Sequence, residues 1–328
     1  MPPQRPPNDN GATMTQAPTP TADTVRRLIR TLLKDDGGGA GHAPGPDVRP
    51  VADGAGTGTW WVGDRHVLRL APDREASLRQ RRELRVRDLV RPHVPVSVPV
   101  SVARGEWAPG LSCTLDTRMP GGSAEDHRVS AVGETDLAGL LTGLRAVPAR
   151  QAETLGVPRA APRSLEALRG AARAAAEHLA AADEFDPVRL GQLTQPAAVQ
   201  LGIQPGPAVL THHSLTGNHL VVSQDGRVRG VLGWGGAVVG DPAEDIAGLA
   251  VAVGAPAAVR AATLAGYGAR PCLRGLWLAR CDTVLHLAEA LAGRGTDPMP
   301  LLRVRLRRAW EAILLERVTD LRGPEDGA

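Results

Sequence analysis

Aromatic residues other than tryptophan are nearly missing from this chain: Phe185 and Tyr267 stand alone beside six tryptophans. A core without Phe and Tyr must be filled by Leu, Val and Ala. Lysine is just as scarce. Lys34 is the only one, so 37 of the 38 basic residues are arginine. Few sites that need an amine can therefore exist here, and the bias reads as that of a GC-rich coding sequence rather than selection for arginine. Cysteine is sparse and odd in number, with Cys113, Cys272 and Cys281 in 328 residues. That count excludes a disulfide framework and fits a reducing cytoplasm. Cys272 and Cys281 fall nine apart on an expected helix, on opposite sides, so they form no local pair. The chain also lacks a charge excess. Thirty-eight basic against 35 acidic side chains leave +3, too little for a dedicated nucleic-acid binder. No apolar run approaches the ~20 residues of a membrane span, and MPPQRPPNDNGATMTQAPTPTAD has no apolar segment of a signal or transit peptide.

What is present divides into regions. Residues 1–22 are rich in Pro, Thr and Asn and are expected to be disordered. Val25, Leu28, Ile29 and Leu32 predict a short amphipathic helix over about 22–34, and DDGGGAGHAPGPD a linker over 35–47. Strands are predicted at Val51, TWWV (59–62), HVLRL (66–70), PVSVPVSVA (95–103) and LSCTLDTRM (111–119). A helix is predicted over 74–91. The glycine-rich turn at 54–58 has two readings, a plain hairpin or a phosphate cover. Helical patterns dominate beyond about residue 122, including 164–183, 273–293 and 301–320. Short strands interrupt them at AVLTH, HLVV and RVRGVL, the last two joined at Asp225-Gly226. The arginines at 79, 81, 82, 85, 87 and 91, and those of RVRLRR (303–308), read as solvated helix faces.

The densest polar cluster is His212-His213-Ser214-Leu215-Thr216-Gly217-Asn218-His219, which holds three of the nine histidines between two strands. Gly233-Trp234-Gly235-Gly236 follows the RVRGVL strand, and Gly240-Asp241-Pro242-Ala243-Glu244-Asp245 opens a helix. A zinc site at His212, His213 and His219 is disfavoured, because no carboxylate or thiol lies at ligand spacing. A hydrolase pair of His213 and Ser214 is disfavoured, because no G-x-S-x-G elbow surrounds the serine. Asp241, Pro242 and Glu244 have the spacing of a capping box, which gives Asp241 a structural role. Asp245, one turn further, and His212 are read as fixing the loop.

These stretches, VLTHHSLTGNHLVV and DGRVRGVLGWGGAVVGDPAEDIAGLA, resemble the aminoglycoside and macrolide phosphotransferases. Those small-molecule kinases carry H-G-D-L-x-x-x-[NH], V-x-G-V-I-D-W and G-D-P-x-x-D-L-A. Upstream, HVLRLAPDREASLRQRRELRVRDLV is similar to the family's third strand and following helix, RMPGG to its hinge, and LLTGLRAVP to a later helix. The resemblance spans about 50–300. It implies an α+β, bilobal protein-kinase-like fold: a flexible extension over 1–50, a β-rich N-lobe over 51–122 and a helical C-lobe over 123–328. It further implies ATP or GTP in a cleft near Met119-Pro120-Gly121, with Arg69, Glu83, Met119 and Gly121 as nucleotide-binding residues. Arg69 stands at the family's lysine position and is expected to pair with Glu83. The implied partner is a small molecule, with no nucleic acid and no membrane.

The departures from the family pattern bear on activity. Ser214 stands at the catalytic aspartate, Gly233 at the metal-binding aspartate and Gly236 at a second carboxylate, while His219 keeps the other metal-ligand position. Phosphoryl transfer relies on positioning and on Mg²⁺ across the phosphates, and Mg²⁺ prefers oxygen ligands. A serine hydroxyl is a very weak base. The sequence therefore points to a degenerate, pseudokinase-like protein that binds a nucleotide or small molecule, with Mg²⁺ binding weak or absent. Two other readings remain: an active kinase with carboxylates relocated to Asp241 and Asp245, and a scaffold that no longer uses the cleft.

Overall fold

The computed structural model describes residues 19–34, 46–51, 58–202 and 206–313. The expected disorder before residue 19, most of the linker and the turn at 54–57 lie outside the described residues. The chain divides into two compact units. One takes Leu78 and the described residues before it, together with Ser101–Asp116. The other takes Arg79–Val100 and the described residues from Thr117 onward.

In the first unit, α1 (Ala22–Lys34) presents Val25, Ile29 and Leu32 on one face, and all three are buried. They meet Trp60, Leu68, Cys113 and Leu115 in one apolar cluster. The sheet runs β1 (Val48–Pro50), β2 (Thr59–Val62), β3 (His66–Leu70), β5 (Leu111–Thr117), β4 (Ser101–Ala108) in spatial order. The pairs β1–β2, β2–β3 and β4–β5 are antiparallel. Alternation in β2 buries Trp60 and Val62, and in β3 Leu68 and Leu70, against α1 and β5. The strand expected at 95–103 begins only at Ser101. Pro95 and Pro99 lack the N–H a ladder needs, and Ser97 makes a lone bridge to Gly230. Between β3 and β4 runs α2 (Arg74–Val90), whose residues fall to both units.

The second unit is mostly helical. Its elements are β6 (Gly122–Ser123), α3 (Ala131–Ala146), α4 (Ala149–Thr154), α5 (Leu165–Ala181), α6 (Gln195–Gly202), β7 (Val209–Thr211), β8 (Leu220–Val222), β9 (Val228–Val231), β10 (Val238–Gly240), α7 (Ala243–Val253), α8 (Ala255–Leu264), α9 (Ala269–Leu291) and α10 (Met299–Ala309). The strands form two small sheets, β6-β8-β9 and β10-β7. Alanine lets the helices approach closely: Ala172 and Ala176 of α5, Ala250 of α7 and Ala258 and Ala261 of α8 are fully buried. The helix expected over 301–320 stops at Ala309, and residues 314–320 lie outside the described residues.

Two expectations about arginines are corrected. Arg87 is buried and bonded to Glu83 one turn back on α2, and Arg82 donates to the Gly235 carbonyl at 3.0 Å. Arg305 and Arg308 of α10 both bind Glu125, at 3.0 Å each. Sequence periodicity placed these side chains on solvated faces. For Arg87, Arg305 and Arg308 a buried carboxylate drew the side chain inward, because a charge is kept out of water only when it is paired, while Arg82 is held by a backbone carbonyl.

Candidate functional site

The polar loop between β7 and β8 is held by a single carboxylate. Asp245, in the first turn of α7, accepts the backbone N–H of His212 on one oxygen and of His213 on the other, at 2.8 Å each. The chain turns sharply there, and His213 takes a left-handed conformation (φ 63°) that a non-glycine residue rarely adopts. Burial pushes the Asp245 carboxyl up to about 7, against the two N–H donors that favour its ionised form. His212 is wholly buried. Its Nε2 donates to the Leu232 carbonyl at 2.8 Å, and its ring sits 4.7 Å from Trp234 in an edge-on contact. Burial, then the neighbouring His219, lowers its pKa to about 3, so the ring is neutral. His212 and Asp245 thus act on the loop's backbone.

Asp241 also serves the backbone, in a different way from a capping box. Its Oδ1 accepts from the Ala243 N–H at 2.9 Å, and its Oδ2 accepts from Arg274 Nε at 2.6 Å in a fully buried ion pair. Glu244, the expected return partner, turns instead to Arg163.

Ser214 is half-buried at the tip of the loop. Its hydroxyl lies 3.4 Å from His219 Nδ1, but that nitrogen makes its short bond, 2.6 Å, to the Ser214 carbonyl. A carbonyl can only accept, so Nδ1 carries the proton and cannot take one from the hydroxyl. In the neutral ring Nε2 then holds the lone pair, and it faces Gly233: a Cβ there would sit 2.4 Å from it. Gly233 itself is left-handed (φ 80°). Beside Ser214 opens a cavity of about 330 Å³, whose wall includes His213, Ser214 and Thr216 at one end.

The model of the phosphotransferase enzyme family (APH) matches residues 47–276. The chain belongs to that phosphotransferase family. No curated protein matches it significantly. Among solved structures it is similar to the GDP complex of aminoglycoside 2′-phosphotransferase-IIIa (TM-score 0.62, 18% identity, 87% of this chain and 98% of that one). It is also similar to the macrolide 2′-phosphotransferase apoenzyme from Brachybacterium faecium (TM-score 0.55, 22% identity, 87% and 97%). A third neighbour is the streptomycin–ATP ternary complex of APH(2″)-IIa (TM-score 0.55, 12% identity, 90% and 97%). The fold is therefore kinase-like, a small sheet-bearing N-terminal part with a helical remainder.

The residues expected at a phosphotransferase nucleotide site are distributed over both units. In the first, Arg69 Nη1 lies 3.6 Å from Asp116 Oδ2. In the second, Glu83 is buried on Arg87, and a Cβ on Gly235 would lie 3.4 Å from its Oε2, so this carboxylate borders the Gly233–Gly236 segment. Met119 covers Gly230, and Gly121 (φ 135°) approaches the Val222 carbonyl so closely that a Cβ would sit 2.7 Å from it. Asp116 and Arg87 are partners the sequence reading missed. Arg87 follows Glu83 by four residues, a legible signal hidden in a run of arginines.

The donor set does not fit Mg²⁺. At the positions where the sequence resemblance leads one to expect metal ligands stand one imidazole, His219, and two glycines, Gly233 and Gly236, without side-chain oxygen. Among the described residues no group of three His, Cys, Asp or Glu side chains is placed to hold a metal ion. Asp241 and Asp245, the candidates for relocated carboxylates, already accept buried donors. Among the described residues no helix is long and apolar enough to cross a membrane, and Cys113, Cys272 and Cys281 are buried free thiols.

Proposed function

We propose that this chain is a nucleotide-binding phosphotransferase homologue, cytoplasmic, whose phosphate transfer to an acceptor hydroxyl is severely impaired. The observation that carries the reading is Ser214. At the position where the resemblance expects the family's base, its hydroxyl lies 3.4 Å from a nitrogen whose own proton is bonded to the Ser214 carbonyl. Related folds have been solved with GDP or with ATP, which supports binding of a nucleoside di- or triphosphate by Arg69, Glu83, Met119 and Gly121. The absence of side-chain oxygen at Gly233 and Gly236 supports a site that gains little from Mg²⁺. The engagement of Asp241 and Asp245 weighs against relocated catalytic carboxylates.

The carboxylate base and the metal each act mainly in the transition state. The impairment therefore belongs in kcat rather than in acceptor or nucleotide affinity. Phosphate transfer from ATP or GTP to a macrolide should run at least ~10⁴-fold more slowly than in a member with both carboxylates. Turnover at the rate of such a member, abolished by Asp241→Asn in a protein that still folds, would replace this reading with an active enzyme.

A further inference from the structure

The cavity beside Ser214 has an unusual charge pattern for a wall that contains acidic groups. Two carboxylates line it, Glu244 on α7 and Asp282 on α9. Both are bound by one guanidinium. Arg163 reaches Glu244 through Nε (2.9 Å) and Nη2 (2.6 Å), and Asp282 through Nη1 (2.8 Å) and Nη2 (2.9 Å). Arg163 is itself placed by its chain: its carbonyl accepts from Arg274, which is locked in the buried pair with Asp241. The only other charged wall residue apart from histidines, Arg305, is bound to Glu125 and Asp297. Arg163 alone therefore offsets Glu244 and Asp282, and it lowers the charge of that group from −2 to −1 while occupying the oxygens of both carboxylates. Between these groups the surface is apolar: Leu215, Ala247, Val251, Ala279 and Leu302.

We infer that Arg163 is a specificity-determining residue, which closes this cavity to polycations and leaves it suited to an uncharged, largely apolar molecule with a hydroxyl group directed at His213 and Ser214. The inference rests on reading the cavity as the acceptor end of the proposed phosphotransferase site. A polycationic ligand gains its affinity from carboxylates that have no other cation. Here each carboxylate already has two charge-assisted hydrogen bonds, and displacing them would expose a guanidinium to the ligand's own positive charge. An apolar body loses nothing where the wall carboxylates are already bound, and gains from the Leu, Val and Ala surface. His213 and His286 are the remaining titratable groups on the wall.

Calorimetry without nucleotide tests this with two probes, kanamycin and phenyl β-glucoside. The wild-type protein should bind phenyl β-glucoside, lose it in Val251→Trp, and show no kanamycin binding at low salt. Arg163→Gln frees Glu244 and Asp282, and should gain kanamycin affinity by at least about tenfold, in a salt-dependent way. Should Arg163→Gln fail to fold, the two wild-type titrations still decide. Kanamycin binding by the wild-type protein that weakens in Asp282→Asn, or no binding of phenyl β-glucoside, would overturn the inference. Nucleotide titrations are independent of these probes. Normal nucleotide binding with a failed probe pattern sinks only the specificity claim, and the expected probe pattern without nucleotide binding sinks only the proposed function.

Discussion

His219 Nε2 and the Cα of Gly233 face each other so closely that no side chain fits between them: a Cβ on Gly233 would lie 2.4 Å from that nitrogen. The histidine cannot easily retreat, because its Nδ1 is bonded to the Ser214 carbonyl at 2.6 Å. The positive φ of Gly233 adds a backbone cost to any substitution. Gly233→Asp, the replacement that would install the residue the family resemblance implies, should therefore destabilise the protein by about 1–3 kcal/mol. Combined with His219→Ala it should cost less than the sum of the two single changes. Urea unfolding of the four proteins in a double-mutant cycle measures that coupling, and strict additivity would refute the contact.

Gly236 differs. A Cβ there would meet the Ser214 Cβ and the His212 carbonyl at 3.9 Å, an ordinary contact. Ser214→Asp with Gly236→Asp should therefore fold with a melting temperature near that of the wild type, while Ser214→Asp with Gly233→Asp should melt lower. Thermal unfolding of the two double variants side by side makes the comparison.

Acid stability should carry the mark of His212. Its folded pKa is about 3, depressed first by burial and then by His219, against about 6.5 in the unfolded chain. Below pH 6.5 the unfolded chain binds a proton that the native state refuses, so His212 lowers stability as pH falls toward 3. Asp245 acts with the opposite sign over a similar range, because its folded value is raised to about 7 and protonation favours the native state. The two contributions offset each other in the wild type. His212→Gln, which keeps a donor toward Leu232, removes one of them. Between pH 8 and pH 5 the wild type should lose about 2 kcal/mol more stability than this variant. Denaturant titrations at both pH values measure the difference, and parallel curves would show that His212 titrates normally.

Arg274 and Asp241 form an ion pair in which both side chains are almost wholly buried. Removing one partner leaves the other charge in the interior. Arg274→Met should cost about 3–5 kcal/mol. It should also loosen Arg163, whose carbonyl Arg274 holds. Chemical denaturation gives the first number, and faster amide exchange at residues 163–165 would report the second effect.

Much of this organisation was legible in the sequence, and the reasons are local. The strand TWWV and the helix over 22–34 are set by spacings of two and of three to four, which the chain obeys at Trp60 and Val62 and at Val25, Ile29 and Leu32. The loop from His212 to His219 stood out because its residue order resembles a family motif. Charge partners were not legible. Arg163, Glu244 and Asp282 lie 81 and 119 residues apart in sequence and meet only through the packing of α7 against α9. Glu83 had several nearby arginines to choose from, and burial selected Arg87. Asp241 had the spacing of a capping box, yet Arg163 took Glu244 from it, since a half-buried carboxylate gains more from a guanidinium than from one backbone N–H.

The proposed function is that of a phosphotransferase site that keeps its nucleotide and has lost its metal. Calorimetric titration of ATP and GTP into the full chain, with and without Mg²⁺, tests it most directly. The expected outcome is weak binding, diminished in Arg69→Ala and changed little by Mg²⁺. Micromolar binding that depends on Mg²⁺ would contradict it, and would show that carboxylates at positions other than 214, 233 and 236 hold a metal in this protein.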